Sequence, residues 1–321
     1  MEKILVAGGA GYIGSHVQKQ LLDEGFKVIV FDDLSSGDAV NILPGAEFVL
    51  ANILDKDKLN NVLKNGIDAV IHLAAKKAVG ESMINPSLYA ENNLIGSINI
   101  LNAMVENHVK YIVFSSSAAV YGMPRYCPID ENHPINPINY YGYTKLAIEN
   151  NMHWFSQLGK LNCAALRYFN AVGYDATGAI RGKERNPQNL MPIIMEVATG
   201  KREKLSIFGN DYDTPDGTCI RDYVHVSDLA KAHSLALKRL MNTNNSFVVN
   251  LGTGKGTSVQ EIVDATEKVI GRKLNYDFAP RRPGDPAKLT ANADLAFQLL
   301  GWKPQYTNVE DIIQTVWNLE I

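Results

Sequence analysis

Short apolar runs alternate with helical periodicities through the first half of the chain. The runs KILVAGG, KVIVFDD, DAVIHLAA and VKYIVFSSS predict buried strands, and GYIGSHVQKQLLDEG predicts a helix that ends at Gly25. Strands that alternate with helices in this way form a parallel sheet covered on both faces. We therefore predict an α/β fold with a doubly wound parallel sheet.

The second half of the chain has a different texture. From about Ala171 to Asp222 it is rich in Gly, Pro, Asn and Asp, and LMPIIMEVATG is its one helical run. Apolar structure returns in VVNLGTG, in the helical SVQEIVDATEKVIG and in the C-terminal VEDIIQTVWNLEI. Because no clear linker separates the halves, we predict a domain over residues 1–170 and a smaller, interleaved lobe over residues 171–321, with segments that return to the first domain.

The first predicted strand runs into a glycine-rich turn, GGAGYIG. Glycines let the backbone approach a pyrophosphate, and the N-terminus of the following helix offers unpaired N–H groups and a partial positive charge. Asp32 ends the second strand, where a carboxylate would accept hydrogen bonds from an adenosine ribose. Either feature alone has a plain packing or turn explanation, but together they predict a Rossmann-type dinucleotide-binding domain. The stretch DDLSSG carries no arginine, which favours NAD over NADP because a carboxylate repels a 2′-phosphate.

A Ser–Tyr–Lys set follows along the chain. Within NYYGYTKLAIEN only Tyr141 has a basic residue, Lys145, four positions ahead, which on a helix lies on the same face. Ser117 ends a predicted strand, where it could relay a proton or hold a substrate hydroxyl. A free tyrosine has a pKa of about 10, and the charges of Lys145 and of an oxidised nicotinamide would lower it enough to make Tyr141 a base. Tyr140 and Tyr143 are predicted to pack or to line the pocket.

Composition narrows the class of protein without indicating a substrate. The 321 residues are 46% apolar and 20% charged, and the net charge of −3 gives no basic field for nucleic acid or an anionic membrane. Three cysteines, Cys127, Cys163 and Cys219, form no Cys-x-x-Cys pair, which fits a reducing compartment. The chain has neither a signal-peptide core nor an apolar run of the roughly 18 residues that a membrane span needs. We expect a cytoplasmic protein with no metal, nucleic-acid or membrane partner.

Seven stretches follow one another between residues 8 and 287, within a match that runs from residue 1 to about residue 317: GGAGYIGSH, AAKKAVGES, FSSSAAVYG, YGYTK, LRYFNAVG, IFGNDYDTPDGTCIRDYVHVSDLA and APRRPGDPA. Together they resemble the UDP-glucose 4-epimerases (UDP-galactose 4-epimerases) of the extended short-chain dehydrogenase/reductase family. The resemblance implies an isomerase that interconverts UDP-galactose and UDP-glucose through a transient 4-keto sugar on tightly bound NAD, in galactose metabolism and nucleotide-sugar supply. It also implies a homodimer through SINILNAMVENH and KLAIENNMHWF.

The same resemblance assigns residues to chemistry, cofactor and substrate. Tyr141 would take the proton of the sugar 4-hydroxyl with Ser117 and Lys145 beside it, and Lys145 would also hydrogen-bond the nicotinamide ribose. The implied cofactor set is Gly8, Gly11, Tyr12, Ile13, Gly14, Asp32, Asp33, Ser36, Asn52, Ile53, Leu73, Ala74, Lys77, Asn92, Ser115, Tyr141, Lys145 and Tyr168. The implied substrate set is Ser117, Tyr141, Phe169, Asn170, Asn189, Leu190, Ser206, Phe208, Arg221, Arg282, Asp285 and Leu289.

Three places depart from the family pattern or vary within it. Asn52 stands where the family usually carries an Asp that touches adenine, and we expect its carbonyl to accept from the adenine amine with modest weakening. The loop GAIRGKERNPQN lacks the usual acidic GED stretch. Leu289 occupies a position that varies with the sugar, so action on UDP-N-acetylglucosamine or another UDP-sugar is an alternative.

Other functions fit the residues less well. A nucleotide-sugar 4,6-dehydratase would carry an Asp–Glu pair where this chain has Ala118 and Ala119. A decarboxylase or a simple reductase leaves the UDP-binding set unexplained. A non-catalytic NAD sensor needs no base, so the presence of Tyr141 and Lys145 argues against it.

Overall fold

Strands and helices alternate along the chain in the computed structural model, which describes residues 2–183, 187–282 and 284–321. The strands are β1 (Lys3–Ala7), β2 (Lys27–Asp32), β3 (Ala46–Leu50), β4 (Ala69–His72), β5 (Tyr111–Ser117), β6 (Asn162–Tyr168), β7 (Asn170–Val172), β8 (Leu205–Phe208), β9 (Ile220–Arg221), β10 (Tyr223–His225), β11 (Phe247–Leu251), β12 (Thr257–Ser258), β13 (Tyr276–Ala279) and β14 (Lys288–Leu289). The α-helices are α1 (Tyr12–Asp23), α2 (Lys56–Leu63), α3 (Val79–Ile84), α4 (Pro86–Tyr89), α5 (Gly96–Glu106), α6 (Tyr140–Gln157), α7 (Leu190–Ala198), α8 (Val226–Thr243), α9 (Val259–Ile270), α10 (Asp294–Leu300) and α11 (Val309–Trp317). Two short 3₁₀ turns (Ala39–Asn41 and Ala118–Val120) and a π-helical turn (Ala90–Ile95) complete the set.

Seven strands form one parallel sheet in the order β11-β6-β5-β4-β1-β2-β3. The central strand β1 pairs with β2 on one side and with β4 on the other, so the direction of winding reverses there. In such sheets ligands bind in the crevice outside the carboxyl ends of the strands at this switch point. The predicted fold class, a doubly wound Rossmann-type sheet, is confirmed.

Strand β1 shows why the sheet is covered on both faces. Ile4 and Val6 belong to the apolar cluster that includes α1 and α8, whereas Leu5 and Ala7 belong to the cluster that includes α2, α5 and α6. Since successive strand residues point to opposite faces, a strand buried on both sides must be continuously apolar, as Ile4 to Ala7 are. Each fully buried Ile, Leu or Val contributes about 1.5–3 kcal/mol relative to an exposed one.

The smaller lobe is built from short sheets around an apolar cluster of its own. The sheets are β7–β10, β8–β13 and β12–β9–β14, and α7, α9 and α11 supply the helical part of the cluster. The chain also crosses back, because β11 pairs with β6 at the edge of the large sheet. We propose a boundary near residue 170, supported by β7, which begins at Asn170 and pairs with β10. Within the described ranges no helix has both the length and the apolarity to cross a bilayer.

Candidate active site

The glycine-rich turn after β1 is as tight as glycine allows. Gly8 has a φ of 82°, and a Cβ there would lie 2.5 Å from the backbone nitrogen of Ala74. A Cβ on Gly14 would lie 2.1 Å from the carbonyl oxygen of Gly8. Helix α1 begins at Tyr12, and no described side chain caps its N-terminus at Gly11. The turn therefore presents bare backbone and a helix N-terminus, as an anion site requires.

Asp32 and Asp33 lie beside this turn at the end of β2. The Asp32 carboxylate accepts hydrogen bonds from the backbone N–H groups of Ala10, at 3.0 Å, and Leu34, at 2.8 Å. Burial raises the pKa of Asp32, and these two bonds oppose the increase. Asp33 accepts from the Asn52 side-chain amide at 2.6 Å. The Asn52 carbonyl, expected to face adenine, accepts from the Leu54 N–H at 2.8 Å.

The Ser–Tyr–Lys set comes together at the ends of β5 and α6. Helix α6 begins one residue before Tyr141, so Tyr141 and Lys145 lie on one face, as predicted. The Lys145 side chain is 2% exposed, and its Nζ donates to the Ser115 carbonyl at 2.6 Å. That Nζ lies 5.7 Å from the centroid of the Tyr141 ring. The Ser117 hydroxyl lies close enough to the Tyr141 phenol to oppose the rise in its pKa, so the three predicted side chains lie in one place.

Burial shifts the proton affinities of both ionisable members of this set. It raises the pKa of Tyr141 to about 12, against the opposing effect of the Ser117 hydrogen bond. It lowers the pKa of Lys145 to about 7, against the opposing charge of Glu149. The protein groups alone therefore do not lower the pKa of the phenol. The sequence-based expectation of a lower value depends on the added positive charge of an oxidised nicotinamide.

The two neighbouring tyrosines have other surroundings. Tyr143 is 48% exposed, Tyr140 is half-buried, and their ring centroids lie 5.5 Å apart. Only Tyr141 reaches Ser117 and Lys145. A further tyrosine, Tyr168 at the end of β6, is buried and hydrogen-bonds the Ser115 hydroxyl. Tyr141 is thus the phenol at the reactive end of the sheet, with Tyr168 behind it.

Two arginines lie at the base of the smaller lobe. Arg221 of β9 is buried, and its guanidinium donates to the Asp285 carboxylate. The Arg282 guanidinium lies 3.9 Å from the centroid of the Phe208 ring. Arginine and an aromatic face are the groups that bind a diphosphate and flank a base. The arrangement suits a nucleoside diphosphate.

The remaining predicted substrate residues surround this arginine site. Leu289 of β14 pairs in register with Arg221 and packs in the same apolar cluster as the buried Phe169. Asn189 is the N-cap of α7, whose first residue is Leu190, and makes no capping bond to a described residue. Two further positions have other surroundings. The Asn170 side chain is exposed, and the Ser206 hydroxyl donates to Asp277 at 3.0 Å.

Comparison with known proteins agrees with this geometry. Residues 4–252 match the model of the NAD dependent epimerase/dehydratase family. The chain belongs to this family. Across 98% of its length it is 48% identical to the UDP-glucose 4-epimerase of Halalkalibacterium halodurans, of which 94% is covered.

Solved structures of the family superimpose over the whole chain. A crystal structure of a UDP-glucose 4-epimerase gives a TM-score of 0.97 at 47% identity and covers 99% of this chain and 97% of that one. The UDP-glucose 4-epimerase of Stenotrophomonas maltophila, solved with bound NAD and formylated UDP-arabinopyranose, gives 0.96 at 41% identity and covers 100% of this chain and 98% of that one.

The family's NAD fits the residues at the glycine-rich turn, so the predicted cofactor is confirmed. A Cβ at Gly8 or Gly14 would collide with backbone atoms of Ala74 or Gly8, so glycine is needed for the tight turn on which a pyrophosphate cradle is built. The Asp32 carboxylate uses one lone pair on each oxygen for backbone N–H groups, which leaves acceptor capacity for ribose hydroxyls. Asp33, fixed by Asn52, adds a second negative charge where a 2′-phosphate would lie.

Other members of the predicted cofactor set lie around the same crevice. Leu73 and Ala74 both donate backbone N–H bonds to the Ala7 carbonyl, at 2.8 and 2.9 Å, which brings the chain after β4 against the glycine turn. The rest have individual environments: Ser36 and Lys77 are exposed, Ile13 and Ile53 pack in the two apolar clusters, Tyr12 donates to the Gly173 carbonyl, and Asn92 donates to the Leu88 carbonyl. Their contacts with NAD stay predictions.

Sequence reasoning missed Asn93, the neighbour of Asn92. Its buried side chain accepts from the Lys76 N–H at 2.8 Å and donates to the Lys76 carbonyl at 3.0 Å and the Thr144 hydroxyl at 3.2 Å. Asn93 thus connects Lys76, the neighbour of the predicted cofactor residue Lys77, to the turn of α6 that carries Lys145. It lies in the π-helical turn Ala90–Ile95, a feature often found at functional sites.

The basic loop GAIRGKERNPQN is described only in part, because residues 184–186 lie outside the described ranges. Gly182 is anchored through its N–H to the Asn41 side chain at 2.8 Å. Its carbonyl accepts from the Tyr174 hydroxyl at 3.1 Å. The near end of the loop is therefore fixed beside the glycine turn, since Asn41 also donates to the Ala10 carbonyl at 3.1 Å.

Proposed function

We propose that the protein interconverts UDP-galactose and UDP-glucose by inverting C4 of the sugar. The observation that carries the proposal is the meeting of Ser117, Tyr141 and Lys145 at the carboxyl edge of an NAD-binding sheet. Identity of 48% to a UDP-glucose 4-epimerase over nearly the whole chain supports it.

In this mechanism Tyr141 is the base that accepts the proton of the 4-hydroxyl, and Ser117 holds that hydroxyl through its own. When bound, NAD supplies the hydride acceptor at C4 and later returns the hydride. The Lys145 ammonium, 5.7 Å from the Tyr141 ring, favours the phenolate electrostatically. Tyr141 returns the proton after the 4-keto sugar has presented its other face, so one residue serves both directions.

Inversion requires a firm hold on the nucleotide and a loose hold on the sugar. Arg221 and Arg282 would grip the diphosphate, and Phe208 would flank the uracil. In the present structure these groups pair internally, Arg221 with Asp285 and Arg282 with Phe208, so the ligand exchanges existing contacts for new ones. The wall next to the sugar includes Leu289 and Phe169, which offer apolar surface and do not fix one hydroxyl pattern.

The rival dehydratase mechanism lacks its acid and base. Ala118 and Ala119 form the 3₁₀ turn immediately after Ser117, where an Asp–Glu pair would be needed. Neither alanine can move a proton. Epimerisation, which needs only the Ser117, Tyr141 and Lys145 set, is the reaction that these residues support.

The test is to incubate the purified protein with UDP-galactose, without added NAD, and to separate the nucleotide sugars by chromatography. Conversion to a constant ratio of UDP-glucose to UDP-galactose is the expected result, because the cofactor is retained through the cycle. No conversion by protein shown to contain NAD would contradict the proposal. Parallel incubation with UDP-N-acetylglucosamine measures whether the pocket at Leu289 admits the larger sugar.

We also propose a homodimer formed through α5 and α6, which pack side by side. Their outer surface exposes Ile98, Trp154 and Leu158, and the Trp154 side chain is 65% exposed. Large apolar side chains exposed on two neighbouring helices are the kind of surface that a partner would cover. A second copy presenting the same helices would bury it symmetrically.

Trp154→Glu is expected to convert the dimer to a monomer, because it places a charge at the centre of the apolar surface. Aromatic residues at such centres contribute about 2 kcal/mol or more, so the dissociation constant of the dimer should rise at least ~30-fold. Sedimentation velocity over a concentration series measures this. Phe297→Glu, at an exposed aromatic on the opposite face of the sheet, is the control and should leave the mass unchanged. Equal masses for the wild type and Trp154→Glu would exclude this interface.

We propose the cytoplasm as the location of the protein. Cys127, Cys163 and Cys219 are all free thiols in the structure, which suits a reducing compartment. Cell fractionation followed by immunodetection tests the assignment, and recovery from an oxidising compartment would contradict it.

A further inference from the structure

Helix α6 carries a further polar residue, Glu149, that is buried and lies on the same face as Tyr141 and Lys145. Glu149 follows Lys145 by four positions, so the three side chains form one stripe along the helix. Each contacts a different one of three consecutive serines in β5. The Tyr141 phenol lies beside the Ser117 hydroxyl, Lys145 donates to the Ser115 carbonyl at 2.6 Å, and Glu149 accepts from the Ser116 hydroxyl. The epimerase mechanism uses Tyr141, Lys145 and Ser117 and gives Glu149 no role.

The Glu149 carboxylate is held from its other side by Arg167 of β6. The Arg167 Nε lies 3.0 Å from Oε1 and 3.2 Å from Oε2, and Nη2 lies 2.5 Å from Oε2. Both side chains are only 6% exposed. A buried ion pair is a costly element unless its geometry is fully satisfied, and replacing such a pair by apolar residues often leaves stability unchanged. Stability alone therefore gives no reason for a charged pair at this place.

Arg167 extends the network to the far side of the reactive edge. Its Nη1 donates to the Tyr121 hydroxyl at 3.0 Å, and Tyr121 donates to the Asn250 side chain of β11 at 2.7 Å. Tyr121 ends the 3₁₀ turn that follows Ser117. The pair thus connects α6, which carries Tyr141, to β5 and the turn after it, which carry Ser117. These hydrogen bonds are directional, so they admit one register of α6 against β5.

We propose that Glu149 and Arg167 are a positioning pair that sets the register of α6 against β5, and with it the separation of the Tyr141 and Ser117 hydroxyls. The inference rests on the proposed epimerase function, because it concerns the geometry of the same base. Neither residue touches substrate. They hold the geometry through Ser116 and Tyr121, and the Glu149 charge also opposes the fall in the pKa of Lys145. Loss of the pair should slow the chemical step and leave nucleotide binding at Arg221 and Arg282 intact, and Glu149→Asp, which keeps the charge, isolates the positioning effect.

The test compares kcat and KM for UDP-galactose among three variants. Glu149→Gln keeps the shape and removes the charge, Glu149→Asp keeps the charge and shortens the side chain, and Glu149→Leu with Arg167→Met replaces the pair by apolar groups. We expect kcat to fall about 10- to 100-fold in all three, since misplacement by about 1 Å can cost 10²-fold. The KM should stay within about threefold of the wild-type value.

The apolar double variant separates positioning from simple folding damage. If the pair were only structural, the double variant would recover both wild-type melting temperature and wild-type kcat, and that outcome overturns the proposal. Wild-type kcat in Glu149→Gln overturns it as well. The matched control is Glu24→Gln, which removes a carboxylate that joins α1 to Lys231 and Lys238 of α8 on the opposite face of the sheet. Failure of the proposed function itself shows in the wild-type protein, which would then convert no UDP-galactose.

Discussion

Tyr141→Phe is expected to lower kcat for UDP-galactose by roughly 10²–10⁴-fold, the range that a positioned general base supplies. The phenol lies within reach of both Ser117 and Lys145, and phenylalanine keeps its ring while removing the proton acceptor. Stability should change by about 1 kcal/mol or less, because a single hydrogen bond is lost together with the cost of burying a hydroxyl. Steady-state conversion, followed by chromatography, measures the loss.

The neighbouring tyrosines provide matched controls for this prediction. Tyr140→Phe and Tyr143→Phe make the same chemical change within the first turn of the same helix, and both should retain kcat within about twofold. NAD released on denaturation should be equal in all three variants, so that a lower rate reflects chemistry and not an empty site. Retention of more than a tenth of the activity in Tyr141→Phe would remove Tyr141 from its role as base.

The placement of Tyr141 and Lys145 on one face of α6 could be predicted because it follows from helical periodicity. Four-residue spacing places Tyr141 and Lys145 on one face of a helix regardless of how the rest of the chain folds. The same spacing extends to Glu149, but the sequence gives no sign that its partner would be Arg167, which lies in a different strand. Contacts between elements depend on how β5, β6 and α6 pack, and no local pattern contains that information.

Asn93 shows a different limit of prediction from sequence. Two adjacent asparagines, Asn92 and Asn93, offered equal chemistry, and the resemblance assigned the cofactor contact to Asn92. Asn93 lies in a π-helical turn, which changes the number of residues per turn locally, and the contact of Asn92 with NAD stays a prediction. Asn93 is the buried one, and it clamps Lys76 and Thr144.

The nucleotide-binding residues were predicted from the family resemblance and not from periodicity. Arg221 and Leu289 lie in two-residue strands, which are too short to give an alternating pattern. Phe208 and Arg282 are brought together by the pairing of β8 with β13, whose strands are far apart in sequence. Motif matching placed these residues in one pocket, but only the structure shows that Arg221 and Arg282 already have protein partners.

Gly14→Ala is expected to yield protein without bound NAD and to lower conversion in the absence of added cofactor by more than about 100-fold. The new Cβ would lie 2.1 Å from the Gly8 carbonyl oxygen and 2.7 Å from the Gly9 Cα, both backbone atoms, so the turn or the start of α1 must shift. Overpacking of this kind costs about 1–3 kcal/mol. The larger effect falls on binding, because the amide groups that hold a pyrophosphate belong to the segment that has to shift.

Gly80→Ala is the matched control, since Gly80 is also helical and a Cβ there meets nothing within 4 Å. It should keep its NAD and gain up to about 1 kcal/mol in helix propensity. NAD released on denaturation, measured per protein chain, distinguishes the two variants directly. Restoration of activity to Gly14→Ala by a large excess of NAD would confirm that the chemistry survives and the cradle is weakened. Undiminished bound NAD in Gly14→Ala would instead show that the turn accommodates the methyl group, and the steric account of the cradle would then be wrong.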